Sequence, residues 1–237
     1  MTQTVAPTDF DTVADVYDES LPHHVVEHYL RKRLAYVRRN ATTGPVLDVG
    51  CGTGVLLERV VDAGYEAVGL DPSRGMLTQL RARRPEIPTV VGDGAALPFP
   101  DETFALVYCV AVLHHVAEAT AVRQTLAEMS RVTRRGGRVL IWDHNPANPY
   151  WPWLMRRVPQ DTGGERLIPT DEIVAGLNAG GARPIACQQL GLVPDFTPRR
   201  LLGAAQVAER LTEATPGVRR LCAHNVILAV KDGNVQS

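Results

Sequence analysis

Four cysteines in 237 residues, Cys51, Cys109, Cys187 and Cys222, are widely scattered and form no CxxC pair. That spacing argues against a disulfide framework or a zinc site and suits reduced thiols in a cytosol. Charge of one sign is also missing: 25 Lys and Arg against 26 Asp and Glu leave a formal −1. Nucleic acid and anionic membrane surfaces usually demand a basic excess, so neither is expected as the main partner. Arginines gather only at Arg31–Arg33 with Arg38–Arg39, and at Arg81–Arg84; both clusters fall on expected helices and read as solvated faces. Long apolar runs are absent as well. The longest, Phe104 to Leu113, is far too short to span a bilayer. From Met1 to Glu19 the chain is polar and slightly acidic, without a charged-then-apolar signal pattern. The expectation is a soluble, cytoplasmic monomer or homodimer with no internal repeat, low-complexity tract or second domain.

What is present is enough apolar material, 45% of residues, to bury a substantial core. Short β-rich runs alternate with helical patterns, the signature of a parallel sheet covered by helices on both faces. Strands are expected at Val46–Val49, Ala67–Leu70, Thr89–Val91, Phe104–Val110 and Arg138–Trp142. Helices are expected at Pro22–Arg39, Val55–Ala63, from Pro72-Ser73 to Arg84, and from Glu118 to Arg134. Val122, Leu126, Met129 and Val132 form one stripe of that last helix, which Gly136-Gly137 should end. Residues 145–169 are rich in proline and carry Tyr150, Trp151 and Trp153, which suggests an ordered cover over a ligand. A helix should then begin at Thr170, its hydroxyl serving as cap, and stop at Gly180. Strands at Pro184–Leu190 and Asn225–Val230 bracket a helix around Arg199–Glu213. The whole chain, 1–237, thus reads as one domain: a helical cap (1–44), a ligand-binding core (45–144), a substrate-side insertion (145–169) and a C-terminal part completing the sheet (170–237).

The strongest local signal is Val46-Leu47-Asp48-Val49-Gly50-Cys51-Gly52-Thr53-Gly54, a buried strand running through a glycine turn into a helix. Glycines permit positive φ and close approach to a ligand, and the helix start offers unpaired amides. A dinucleotide site wants G-x-G-x-x-G, yet Val55 stands where the third glycine belongs. Asp48 would repel a phosphate there and suits a ligand with a positive group, such as an amino acid's ammonium. Asp71 ends the second strand about 20 residues on, the spacing at which a carboxylate meets ribose hydroxyls; alone it would read as a cap before Pro72. Asp93, in Gly92-Asp93-Gly94, stands where an exocyclic amine can be bound, and alone would be a turn residue.

With VLDVGCGTG, GLDPS, GDGAALPFPDETFALVYCVAVLHHV and EMSRVTRRGGRVLI in this order over roughly residues 45 to 145, the sequence resembles the class I S-adenosylmethionine-dependent methyltransferases, in their small-molecule branch. The resemblance implies an α/β, doubly wound, Rossmann-like sheet of seven mostly parallel strands, with the last antiparallel and inserted beside the fifth. It implies S-adenosyl-L-methionine as cofactor, S-adenosyl-L-homocysteine as product, and a small-molecule acceptor. By that likeness Asp48, Gly50 and Gly52 hold the methionine part, Asp71 the ribose, and Asp93, Gly94 and Ala95 the adenine. Cys109 and Val110 line the methionine side, Tyr17 closes over the cofactor, and Cys51, Pro72 and Met76 complete the set.

Methyl transfer from a sulfonium is an in-line displacement, and a base is needed only where the acceptor must lose a proton. His114 and His115 follow the fourth strand, Asp143 and His144 the fifth, both at carboxyl ends where open α/β sheets bind ligands. Some sugar O-methyltransferases resemble this arrangement, which points to His114 with Asp143 as the base and its partner, His115 in reserve; the bland reading has the histidines packing beneath the ligand. No metal site is expected from these groups. O-methylation is favoured over N or C. Tyr150, Trp151 and Trp153 are candidates to stack on the acceptor, and Arg156 and Arg157 to meet an acid. A nicotinamide-dependent oxidoreductase and an inactive cofactor-binding protein are the alternatives.

Overall fold

A computed structural model describes residues 9–19, 22–116, 118–155 and 165–232. Its strands are β1 (Val46–Val49), β2 (Ala67–Asp71), β3 (Thr89–Val91), β4 (Phe104–Val110), β5 (Thr133–His144), β6 (Ala182–Leu190) and β7 (His224–Lys231). They form one sheet in the order β3-β2-β1-β4-β5-β7-β6. All neighbours are parallel except β7, which runs antiparallel to both β5 and β6. Between β1 and β4 the winding reverses, and that switch point is where such sheets open a crevice at their carboxyl ends.

Both faces are covered, and the period of two decides which residue goes where. Leu47, Val49, Val107, Cys109, Val139 and Ile141 face one side, against Val122, Leu126, Met129 and Val132 of α5 (Ala119–Val132) and Ile173 and Leu177 of α7 (Thr170–Ala179). Val46, Leu106, Tyr108, Leu140 and Trp142 face the other, against α2 (His23–Asn40), α3 (Val55–Asp62) and α4 (Arg74–Arg83). The helix starts are local chemistry. Gly54 enters α3 with φ 83°, and the Ser73 hydroxyl caps α4 by accepting the Met76 amide at 3.0 Å. Shorter helices are α1 (Phe10–Val13), α6 (Trp151–Leu154) and α8 (Leu202–Ala214).

Two boundaries depart from the sequence reading. Gly136-Gly137 does not end α5, which stops at Val132; the pair lies inside β5, where the register against β4 shifts between Phe104 and Leu106. Gly136, at φ 70°, therefore marks a bulge rather than a helix end. Thr170 is the first residue of α7 rather than its cap: Pro169 holds that position and supplies no side-chain bond.

Candidate active site

The glycine turn begins where β1 hands its chain to α3. Gly50 and Cys51 both donate to the Leu70 carbonyl, at 2.7 and 3.0 Å, tying the turn to the end of β2. A Cβ on Gly50 would stand 2.5 Å from Val112 Cγ2, whereas a Cβ on Gly52, at φ 55°, would meet nothing within 4 Å. Gly50 is thus required by packing and Gly52 by backbone shape beside open space. Asp71 organises the same turn: its Oδ2 accepts the Gly52 amide at 2.8 Å and its Oδ1 the Ser73 amide at 2.9 Å. Burial pushes its carboxyl up, and these two amides pull it back only partly. Asp48 is buried beneath the turn, and burial raises its carboxyl to about 7, with the nearby Asp71 charge adding to the effect.

An N-terminal strap crosses this end of the sheet. Asp11 Oδ1 accepts the Ser73 hydroxyl at 2.6 Å and the Gly75 amide at 2.7 Å, and the Thr53 hydroxyl donates to Asp18 at 2.6 Å. Phe10 stands edge-on to both Tyr17 and His115, with ring centroids 6.3 and 4.9 Å away.

A cavity of about 920 Å³ opens over the switch point. Of the residues singled out for the cofactor, Tyr17, Asp48, Gly50, Cys51, Gly52 and Val110 line it. Asp71, Pro72, Met76, Asp93, Gly94 and Ala95 stand outside its lining, toward the β2 and β3 edge. There Asp93 is exposed and accepts the Ala95 amide at 2.9 Å. Met76 and Cys109 are buried, Cys109 within the core on the α5 face. Ala111, which also lines the cavity, has φ 57°, a conformation a non-glycine residue rarely adopts; the strain sits where β4 gives way to the histidine turn.

That turn, Leu113–His115, brings His114 to Asp143 at the end of β5, with His114 Nδ1 2.7 Å from Asp143 Oδ1. The carboxylate also accepts the Leu113 amide at 2.6 Å and the His144 amide at 2.7 Å. Burial alone would raise the Asp143 carboxyl, but His114 and these amides outweigh it and hold it below the usual carboxylate range. An ionised carboxylate only accepts, so His114 carries its proton on Nδ1 and presents the Nε2 lone pair. His115 also lines the cavity, but burial and the adjoining His114 lower it to about 3, which makes it a poor proton acceptor at neutral pH. Ligand atoms of His114, Asp143 and His144 do lie within 4.8 Å of one another. The two imidazoles are stacked, with ring centres 3.9 Å apart and planes at 28°, and His114 Nδ1 is already engaged by Asp143.

The far wall shows what the sequence reading missed. Arg33, taken there as part of a solvated face, lines the cavity, and its Nε is buried without a hydrogen-bond partner. Three more rings line the cavity: His144 stacks on Trp151 at 3.6 Å, and His224 stands edge-on to Trp151 at 5.5 Å. Trp151 is buried, its indole N–H donating to the Ala223 carbonyl, and with Tyr150 it lines the cavity, whereas Trp153 is half-exposed. Arg156 and Arg157 lie outside the described residues. Only the spacing of Tyr29, Arg33 and Tyr36 along one helix stripe hinted that Arg33 turns inward.

A Methyltransferase domain family matches residues 47–141. A demethylmenaquinone methyltransferase of Renibacterium salmoninarum is 37% identical over 164 residues, covering 63% of this chain and 68% of the relative. The chain belongs to the class I S-adenosylmethionine-dependent methyltransferases. Another relative of the same description, from Paenarthrobacter aurescens, is 35% identical and covered over 64% of its length, so the chain spans about two thirds of these curated relatives. In fold it is similar to a chain from the complex of the Haloferax volcanii Trm112 methyltransferase activator with a methyltransferase: TM-score 0.70, 18% identity, 96% of this chain and 100% of that one covered. The methyl donor of this family is S-adenosylmethionine, and the residues here fit it. Open space faces Gly52, the amides at the start of α3 lie beyond, and the buried carboxylate of Asp48, of the charge that would pair an ammonium, lines the same cavity.

Proposed function

We propose that the chain transfers a methyl group to an ionisable hydroxyl of a small acceptor lodged between the glycine turn and the Tyr150–Trp151 wall. The observation that carries this reading is the buried His114–Asp143 pair opening into the cavity that Asp48, Gly50 and Gly52 also line. In it Asp48 and the turn amides hold the amino-acid part of the cofactor, with Cys51, Val110 and Tyr17 around it. Asp71 holds the ribose, flanked by Pro72 and Met76, and Asp93, Gly94 and Ala95 receive the adenine. When bound, the cofactor supplies an electrophilic methyl group on a sulfonium. This chain's contribution is to bring an acceptor oxygen to His114 Nε2, which takes its proton as the oxygen becomes nucleophilic. Asp143, held by three donors, keeps the imidazole in the right tautomer and steadies the positive charge it gains.

The curated relatives are named for demethylmenaquinone, which supports a quinone-class acceptor entering as its hydroxylated, reduced ring. An ionised aryl hydroxyl is nucleophilic at oxygen and at the ring carbon beside it. Oxygen is the site we favour, because the base addresses the hydroxyl directly; carbon is the second reading, supported by those relatives. The test is transfer of labelled methyl to reduced short-chain naphthoquinones, with NMR of the product to place the label. His114→Ala should lower turnover by about 10²–10⁴ while leaving S-adenosylhomocysteine affinity intact. A variant as fast as the parent would remove His114 from the chemistry.

A further inference from the structure

We infer that the wall formed by Arg33, His144, Tyr150 and His224 is a second polar pole of the acceptor site, built to hold an oxygen anion of the acceptor opposite the hydroxyl that meets His114. This rests on the acceptor reading above, since both poles share one cavity. Two arginines line that cavity. Arg59 pairs with Glu27 at 2.5 Å, whereas Arg33 makes no ion pair with any described carboxylate. Its guanidinium lies 5.7 Å from the Tyr29 ring centre and 6.0 Å from that of Trp142, so aromatic faces hold it in place without neutralising it. Asp143 makes no ion pair with it, its oxygens accepting instead from His114 and two amides. Asp195 shares the cavity and its charge acts on Arg33, but burial outweighs Arg33 and Tyr150 in raising its carboxyl, and no ion pair joins the two side chains.

The unpaired atoms are concentrated here. Arg33 Nε, His144 Nδ1 and His224 Nδ1 are all buried without a hydrogen-bond partner, and all three residues line the cavity beside Tyr150, whose hydroxyl is engaged with Asp195; Trp142 Nε1 adds a fourth such atom behind them. Native proteins leave few buried polar atoms unsatisfied, so a cluster on one wall marks a place where a bound molecule completes the bonds. A guanidinium and a phenol are donors, and neutral imidazoles can also donate, so the complementary group is an oxygen bearing negative charge. Ring spacings set the span: the His114 ring centre lies 3.9 Å from that of His144, which lies 5.8 Å from that of His224. Two oxygens on one small ring system, one at each pole, is the acceptor class this implies.

A coloured phenol reads this pole without turnover. The enzyme with S-adenosylhomocysteine bound is titrated with 4-nitrophenol, whose anion is yellow, and with neutral 4-nitrotoluene of similar shape. The parent enzyme should favour the anion and lower the pH at which the bound phenol ionises. Arg33→Met should abolish that shift and weaken binding at least ~10-fold. Cofactor-product affinity should stay unchanged, and the ligand-free melting temperature should rise as an uncompensated buried cation is removed. Arg33→Lys should recover part of the affinity, and Tyr150→Phe should lose about threefold. The inference is overturned if the parent binds the anion no better than the neutral compound, or if Arg33→Met keeps the parent's affinity and ionisation. It is equally overturned if Arg33→Met loses binding while melting lower and Arg33→Lys restores nothing, the behaviour of a packing residue. His114→Ala should retain the Arg33-dependent colour change, so loss of methyl transfer with that change intact would dispose of the base and leave this pole standing.

Discussion

The two halves of the crevice treat their polar groups in opposite ways. Around β1, β2 and β3 the acids are held mostly by backbone: Asp71 by the Gly52 and Ser73 amides, Asp93 by the Ala95 amide, Asp11 by the Gly75 amide and the Ser73 hydroxyl. Around β5 and β7 Asp143 is likewise held, but several buried donors and acceptors have no hydrogen-bond partner, among them atoms of Trp142, His144, His224 and both side-chain atoms of Asn225. Pre-set turns that bind one shared ligand can be specified by a few consecutive residues. On the acceptor reading proposed above, the second wall is left incomplete by the protein and finished by the ligand.

The comparison breaks most readily at the clamp that carries the acceptor half. Glu209 of α8 is 2% exposed, yet its Oε1 accepts from Lys32 at 2.6 Å and pairs with His28 at 3.0 Å. Its Oε2 accepts the Leu192 and Val193 amides at 2.7 and 3.3 Å. Glu209→Ala should therefore cost about 3–5 kcal/mol of folding stability, measured by denaturant titration, and weaken acceptor binding. S-adenosylhomocysteine affinity should be spared. A parallel loss of cofactor-product affinity would mean that the halves are one unit. Burial would raise the Glu209 carboxyl, but His28 and Lys32 outweigh it and hold it down to about 2. A lowered folded pKa gives stability that is complete above the ordinary carboxyl range and lost as pH falls toward 2. Acid should thus melt the parent's advantage over the variant in that window.

Next in size comes Asp71→Ala, which strips the turn of the acceptor shared by Gly52 and Ser73. S-adenosylhomocysteine affinity should fall about 100-fold, roughly the worth of two charge-assisted bonds, with a stability loss of about 1–2 kcal/mol. Calorimetry decides the point, and an unchanged dissociation constant would refute the ribose assignment. The Arg33-dependent phenol binding should be indifferent to this change, which makes it the mirror image of Glu209→Ala.

The same contrast explains what could be read from the chain alone. Val46–Val49, Thr89–Val91 and Phe104–Val110 were legible to the residue because strand and turn signals there are local. The approach of His114 to Asp143 followed from both ending neighbouring parallel strands. Arg33 was not legible: it sits among charged neighbours, and it faces inward only because α2 crosses Trp142 of β5, more than a hundred residues away. Glu209 was hidden likewise, its partners in α2 and in the loop after β6 being brought together by the antiparallel β7. The bulge at Gly136 was misread because a glycine pair after an amphipathic helix marks an end far more often than a kink inside a strand.

The finest probe of the comparison is Asp48, the one member of the cofactor half that burial leaves poised near neutrality, at about 7. Pairing with a ligand's ammonium needs the ionised carboxylate, so S-adenosylhomocysteine affinity should weaken as pH falls below 7, approaching tenfold per pH unit. Asp48→Asn should bind more weakly at pH 8 and show a flat profile. The stability sign runs the other way. A folded pKa raised above the ordinary 3.8 means that this group's contribution is complete at acid pH and is lost as pH rises through about 7. Asp48→Asn should therefore melt higher than the parent above pH 7, with the gap closing toward pH 4. Better binding bought at the expense of stability is the mark of a group kept for a ligand; a variant that both binds and melts like its parent would leave Asp48 as a buried strand residue and nothing more.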